Sequence, residues 1–210
     1  MAEARPISRR ALILGALAFP GIAFAAQGGR KVVTVLGDSI TAGLGLPAAL
    51  ALPAQLQIAL QGLHNTALVR AAGVSGDTTA GGLARVGFSV QKDTDLCVIA
   101  LGGNDVLQGV DVAVTKANLA GILDKLKARH IKALLVGLAA PGDLGGAYGR
   151  EFSAIFPALA KEKHVAVYPN LLEGVALNTN LNQGDGIHPN AEGVLVIARR
   201  LAPVVAKALR

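Results

Sequence analysis

After Arg30, short continuous apolar runs alternate with stretches of helical spacing, and this alternation restricts the chain to one fold class. The runs are Val32–Leu36, Ala67–Ala71, Leu96–Leu101, Ala133–Leu138 and Val165–Tyr168. They are continuous rather than alternating, as expected for strands covered on both faces. Between them, Ala49–Leu63, Thr79–Val90, Val112–Arg129 and Phe152–Lys163 have helix-compatible spacing. The third shows it most clearly, through Leu119, Ile122, Leu123 and Leu126, and a last helix is expected over Ala191–Leu209. Strands and helices in this rhythm imply an α/β fold, a parallel sheet between two helical layers with right-handed crossovers. The 210 residues suffice for one well-filled core and are few for two. No repeat or long linker interrupts residues 30–210, which read as a single domain.

Charge and composition narrow the partners. Hydrophobic residues make up 52% and charged ones 16%, the balance of a packed chain rather than a disordered one. Five Phe, two Tyr and no Trp leave few platforms for stacking bases. The net charge of +6 is scattered, with no basic stripe, so no nucleic-acid partner is expected. Cys97 is the only cysteine, which excludes an internal disulfide, and its run reads as a strand that it fills as a small apolar residue. No His/Cys cluster has zinc spacing. Gly37–Gly45 lacks the Gly-Lys-Ser/Thr of a phosphate loop, and no dinucleotide pattern follows Gly102-Gly103.

Residues 1–25 read as an export signal. Arg9 and Arg10 precede an apolar stretch from Ala11 to Ala23, and Ala23-Phe24-Ala25 offers small residues where a signal peptidase reads. Ser8-Arg9-Arg10-Ala11-Leu12-Ile13 resembles the twin-arginine pattern. The apolar stretch is short for a membrane span, so no stable span is expected once the signal is removed, and the protein is expected in the periplasm or secreted.

In a parallel sheet of this kind, ligand chemistry belongs in the loops at the carboxyl ends of the strands. Gly37-Asp38-Ser39, Gly73-Val74-Ser75-Gly76-Asp77-Thr78 and Gly102-Gly103-Asn104-Asp105 each follow an apolar run. Asp185-Gly186-Ile187-His188-Pro189 precedes the last helix. A serine hydroxyl is a poor nucleophile until a base takes its proton, and histidine is well matched to that task. His64 and His130 sit at expected helix ends and His164 just before the fifth run, which are surface or capping positions. His188 differs, because a turn at Gly186 brings the Asp185 carboxylate to one imidazole nitrogen and leaves the other for Ser39. The backbone N–H groups near Ser39 and Gly76 and the side-chain amide of Asn104 are candidate oxyanion donors. Taken singly, each segment also reads as a turn or a helix cap, with Asp77 or Thr78 capping the second helix.

Together these segments resemble the four blocks of the SGNH, or GDSL-type, hydrolase family, in the family's order and over essentially the whole chain after Arg30. Gly73-Val74-Ser75-Gly76-Asp77-Thr78-Thr79 and Leu101-Gly102-Gly103-Asn104-Asp105 look like the branch of bacterial acyl-CoA thioesterases, lysophospholipases and arylesterases. Ala147-Tyr148-Gly149-Arg150 and Phe152-Ser153-Ala154-Ile155-Phe156 fit that branch as well. The resemblance implies a three-layer αβα sandwich, flavodoxin-like, with a five-stranded parallel sheet. It implies Ser39 as nucleophile, His188 as base and Asp185 as its partner. It implies an oxyanion hole of Ser39 N–H, Gly76 N–H and the Asn104 side chain, with no metal or cofactor. Relatives often carry an aromatic residue where this chain has Leu44-Gly45-Leu46, so the acyl pocket is expected to differ. Val106, Leu107, Ala140, Pro141 and Leu144 are candidates to line it. The expected activity is hydrolysis of small-molecule or lipid esters through an acyl-enzyme. Acyl transfer with the same triad and a non-catalytic flavodoxin-like binding module are the alternatives.

Overall fold

The computed structural model describes Met1 and residues 29–139 and 146–210. The export signal read over residues 1–25 lies, Met1 apart, outside the described residues. Five strands, β1 (Val32–Gly37), β2 (Leu68–Gly73), β3 (Leu96–Ala100), β4 (Lys132–Val136) and β5 (Ala166–Tyr168), form one sheet in the order β2-β1-β3-β4-β5. Every neighbouring pair is parallel. This is the flavodoxin-like doubly wound order, whose topological switch point lies between β1 and β3.

The continuous apolar runs are explained by position in the sheet. All residues of the inner strands β1 and β3 are buried. β2 departs from the expectation of two covered faces. It is an edge strand, none of its residues is fully buried, and its Arg70 reaches Asp93 at 2.7 Å on the surface.

Seven α-helices surround the sheet among the described residues. α1 (Ser39–Ala42) and α4 (Gly103–Leu107) are single turns directly after β1 and β3. α2 (Leu52–Gly62) packs against α7 (Ala191–Ala208), and α3 (Thr79–Ser89), α5 (Val112–Ala128) and α6 (Ala147–Lys163) pack in succession. These two groups are the outer layers of the αβα sandwich. Phe152 and Phe156 of α6, both essentially without solvent exposure, meet edge to face with centroids 5.5 Å apart. They sit beneath Gly102, where a Cβ would lie 3.3 Å from Phe152 and 3.4 Å from Phe156. An aromatic pair on α6 thereby supports the loop that follows β3.

Register decides where the chemistry collects. Gly37 pairs with both Gly73 and Ala100, so β1, β2 and β3 end level and release their loops side by side. His64, His130 and His164 lie just past α2, α5 and α6, in left-handed conformations with φ of 57°, 56° and 55°. They occupy the position usually given to glycine at a helix end. All three are remote from that edge of the sheet, in agreement with their reading as capping residues. Among the described residues no helix is long and apolar enough to cross a membrane.

Candidate active site

The site begins at the carboxyl end of β1. Asp38 caps α1, its Oδ1 accepting from Ile40 N–H at 3.0 Å, and this turns Ser39 out of the strand as the first helical residue. Ser39 Oγ lies 2.8 Å from His188 Nε2, although 149 residues separate them. His188 Nδ1 lies 2.6 Å from Asp185 Oδ2. The acid is itself held in place, since Asp185 Oδ1 accepts from the backbone N–H of Ile187 at 2.9 Å and of His188 at 3.0 Å. Hydrogen bonds from the His188 backbone, the His188 ring and the Ile187 backbone hold the Asp185 carboxyl down to about 2. Gly186 makes this turn with φ of 70°. The loop is tied to the exit of α1 by Gln183 Nε2, which donates to Leu44 O at 2.8 Å.

The loops after β2 and β3 meet beside Ser39. Val74 N–H donates to Gly37 O at 3.0 Å, and Asp77 N–H donates to Val74 O at 3.1 Å. The second bond closes a turn that places Gly76 at φ of 82°, a conformation open to glycine at little cost. Asn104, in α4, donates from Nδ2 to Asp77 O at 2.9 Å. A side-chain amide has two N–H groups, so this bond orients Asn104 and leaves a second donor. Neither the Ser39 nor the Gly76 backbone N–H has an acceptor among the described residues. Asn104 shares a cavity with Ser39 and His188, whereas Gly76 does not line it. Gly76 connects to the site through Asp77, the residue beside it.

That cavity, of about 130 Å³, is apolar where it leaves Ser39, with Val106, Leu107, Leu138, Leu172 and Ile187 on its walls. Val106 and Leu107 were expected there; Ala140, Pro141 and Leu144 lie outside the described residues. Leu44 and Leu46, which stand where an aromatic was expected from the resemblance, line a cleft on the other side of Ser39 and His188.

Three features of the site were not anticipated. Asp38 also faces the cavity, only 4% exposed, and burial pushes its carboxyl up to about 6 against the pull of the Ile40 N–H and His188. Asp105, beside Asn104, is buried and serves the scaffold, accepting from Thr79 N–H at 2.8 Å. Thr78, as expected, caps α3. Arg85 of α3, 8% exposed, reaches back under the site to Gly37 O, Ala72 O and the Asp77 carboxylate. Asp38, Asp105 and Arg85 carry no local signal, because their partners or burial come from segments distant in sequence.

No group of three or more His, Cys, Asp or Glu side chains among the described residues is arranged to hold a metal ion. Cys97 is fully buried in β3, and burial pushes its thiol up to about 12, the state of an inert filler.

Comparison with known proteins gives a consistent match. The GDSL-like Lipase/Acylhydrolase family matches residues 35–195. Esterase TesA of Pseudomonas aeruginosa is 40% identical over 182 residues, covering 86% of this chain and 90% of that protein. The thioesterase 1/protease 1/lysophospholipase L1 of Escherichia coli K12 is 39% identical over 176 residues, covering 81% and 83%. The crystal structure of AlinE4, an SGNH-hydrolase family esterase, superposes with a TM-score of 0.72 at 42% identity, covering 88% of this chain and all of that one.

Proposed function

The chain belongs to the GDSL-like lipase/acylhydrolase family, and on that premise we propose that it hydrolyses uncharged carboxylic esters through an acyl-enzyme on Ser39. The observation that carries the reading is the continuous hydrogen-bonded line from Ser39 Oγ through the His188 ring to Asp185. Ser39 Oγ attacks the ester carbonyl and its proton passes to His188 Nε2. Asp185 keeps Nδ1 protonated and stabilises the imidazolium. The tetrahedral oxyanion is held by the N–H groups of Ser39 and Gly76 and by the free N–H of Asn104. Collapse breaks the bond to the leaving alkoxide, which takes the proton from His188. Water, deprotonated by the same imidazole, then releases the acid and restores Ser39.

Two features support an uncharged substrate. The loops around Ser39, residues 38–51, 73–78, 101–111 and 169–190, contain Asp38, Asp77, Asp105, Asp111, Glu173 and Asp185 but no Lys or Arg. A polyanionic leaving group such as coenzyme A would find no cation there. Leu44, Val74, Leu107 and Ile187 are each about half exposed on these same loops and offer apolar contact to an aryl or alkyl group. A cavity of about 130 Å³ is well below the 300–1,000 Å³ of a drug-sized pocket and suits a short acyl chain. Export through residues 1–25 belongs to the same proposal and rests on the arginine pair, the apolar stretch and the small-residue cleavage site.

The test is turnover of p-nitrophenyl esters of graded acyl length by the wild type and Ser39→Ala. The reading expects short acyl esters to be preferred and Ser39→Ala to be inactive yet folded. Near wild-type turnover by that variant would sink it.

A further inference from the structure

Asp77 joins the two loops assigned to oxyanion binding. Its main chain continues directly from Gly76, and its carbonyl accepts from Asn104 Nδ2 at 2.9 Å. Its carboxylate does not line the Ser39 cavity and accepts from Arg85 Nε at 2.7 Å. The two side chains are only 12% and 10% exposed. Arg85 uses its remaining nitrogens on the strand ends: Nη2 donates to Gly37 O and Nη1 to Ala72 O, each at 2.8 Å. Gly37 precedes the nucleophile turn by one residue, and Ala72 is the next-to-last residue of β2, the strand that leads to Gly76. A planar guanidinium with five donors is suited to such a three-way junction, and the point charge of a lysine is not.

We propose that Asp77 and Arg85 are positioning residues that hold the oxyanion donors of Gly76 and Asn104 at a fixed distance from Ser39. Gly76 alone has wide conformational freedom, and the Asn104 amide would rotate without an anchor. The Arg85 fork fixes the Asp77 carboxylate relative to the ends of β1 and β2. Asp77 then fixes Gly76 through the chain and Asn104 through its carbonyl. Neither side chain contacts the reacting atoms, so the effect belongs in kcat rather than in ground-state binding.

This inference rests on the acyl-enzyme reading above. Its test compares wild type, Asp77→Asn, Asp77→Ala, Arg85→Lys and Asn104→Ala with one short p-nitrophenyl ester. Far-ultraviolet circular dichroism and thermal melting establish which variants fold. The expected result for folded Asp77→Ala and Arg85→Lys is a loss of kcat of about 10²-fold, comparable to removing an oxyanion donor, with KM within about threefold. Asp77→Asn, which retains an oxygen for Arg85 Nε, should recover part of the loss. An alkyl boronic acid, whose tetrahedral adduct places an oxygen in the hole, should bind more weakly by a similar factor. Adding Arg85→Lys to Asn104→Ala should cost less than Arg85→Lys alone, because part of the effect of Arg85 runs through Asn104. Folded variants with kcat within threefold of wild type overturn the proposal, as do full additivity with Asn104→Ala and failure of all three Asp77 and Arg85 variants to fold. Activity that survives Ser39→Ala contradicts instead the acyl-enzyme reading on which the proposal stands.

Discussion

Replacing Asp38 by asparagine should make the protein more stable at neutral pH, and the gain should vanish in acid. Asp38 is 4% exposed beside Ser39. Its one strong hydrogen bond is from Ile40 N–H, and no cation pairs with it among the described residues. Burial raises its carboxyl from 3.8 to about 6. A raised carboxyl means that the folded protein binds a proton more tightly than the unfolded chain does. Between pH 3.8 and 6 stability therefore falls as pH rises, and above 6 the full cost of the buried charge is present. The shift of about two pKa units corresponds to ~3 kcal/mol. Asparagine keeps an oxygen for the Ile40 N–H and is an equally good N-cap, while removing the charge. Urea denaturation of wild type and Asp38→Asn at pH 4, 6 and 8 reads the difference directly, since ionisations common to both cancel. The expected difference in unfolding free energy is below about 1 kcal/mol at pH 4, already most of its full size at pH 6, and about 3 kcal/mol in favour of the variant at pH 8. A difference that is the same at all three pH values, or that favours the wild type at pH 8, refutes the burial argument.

Other substitutions probe the remaining links. Asp185→Asn keeps an oxygen for the Ile187 and His188 N–H groups but loses the charge and the tautomer control, and kcat/KM for a p-nitrophenyl ester should fall by about 10³–10⁴-fold with little change in melting temperature. Gly73→Ala places a Cβ 2.7 Å from Thr41 C and 2.9 Å from Asp38 O, backbone atoms of the nucleophile turn. A shift of about 1 Å there should lower kcat by roughly 10²-fold, measured beside the thermal melt. Phe156→Ala removes a ring 1% exposed that backs Gly102, and should cost about 3–5 kcal/mol in urea unfolding.

The inner strands were legible because burial on both faces leaves a continuous apolar run, as in β1 and β3. β2 was legible only as a run, since its place at the sheet edge depends on pairing that no local pattern reveals. The one-turn helices α1 and α4 were not legible, because four or five residues are too few to display a helical period. α6 begins five residues earlier than its spacing suggested, since Gly149 in its first turn reads as a breaker although it is buried. Asp185 and His188 could be paired from the sequence because their contact is local to one turn. Joining them to Ser39 required the order of blocks along the chain, because the contact spans 149 residues. Arg85 illustrates the limit: it reads as one cation on a helix, and only the fold brings three acceptors from two strand ends and a loop around it.

The central claim is that Ser39 carries the acyl group. Wild-type protein should be treated with an alkyl fluorophosphonate, digested and mapped by tandem mass spectrometry, alongside Ser39→Ala and His188→Ala. The expected result is one stoichiometric adduct on the peptide containing Ser39, strongly slowed in His188→Ala and absent in Ser39→Ala. Labelling at another residue, or undiminished labelling of Ser39→Ala, would contradict the account.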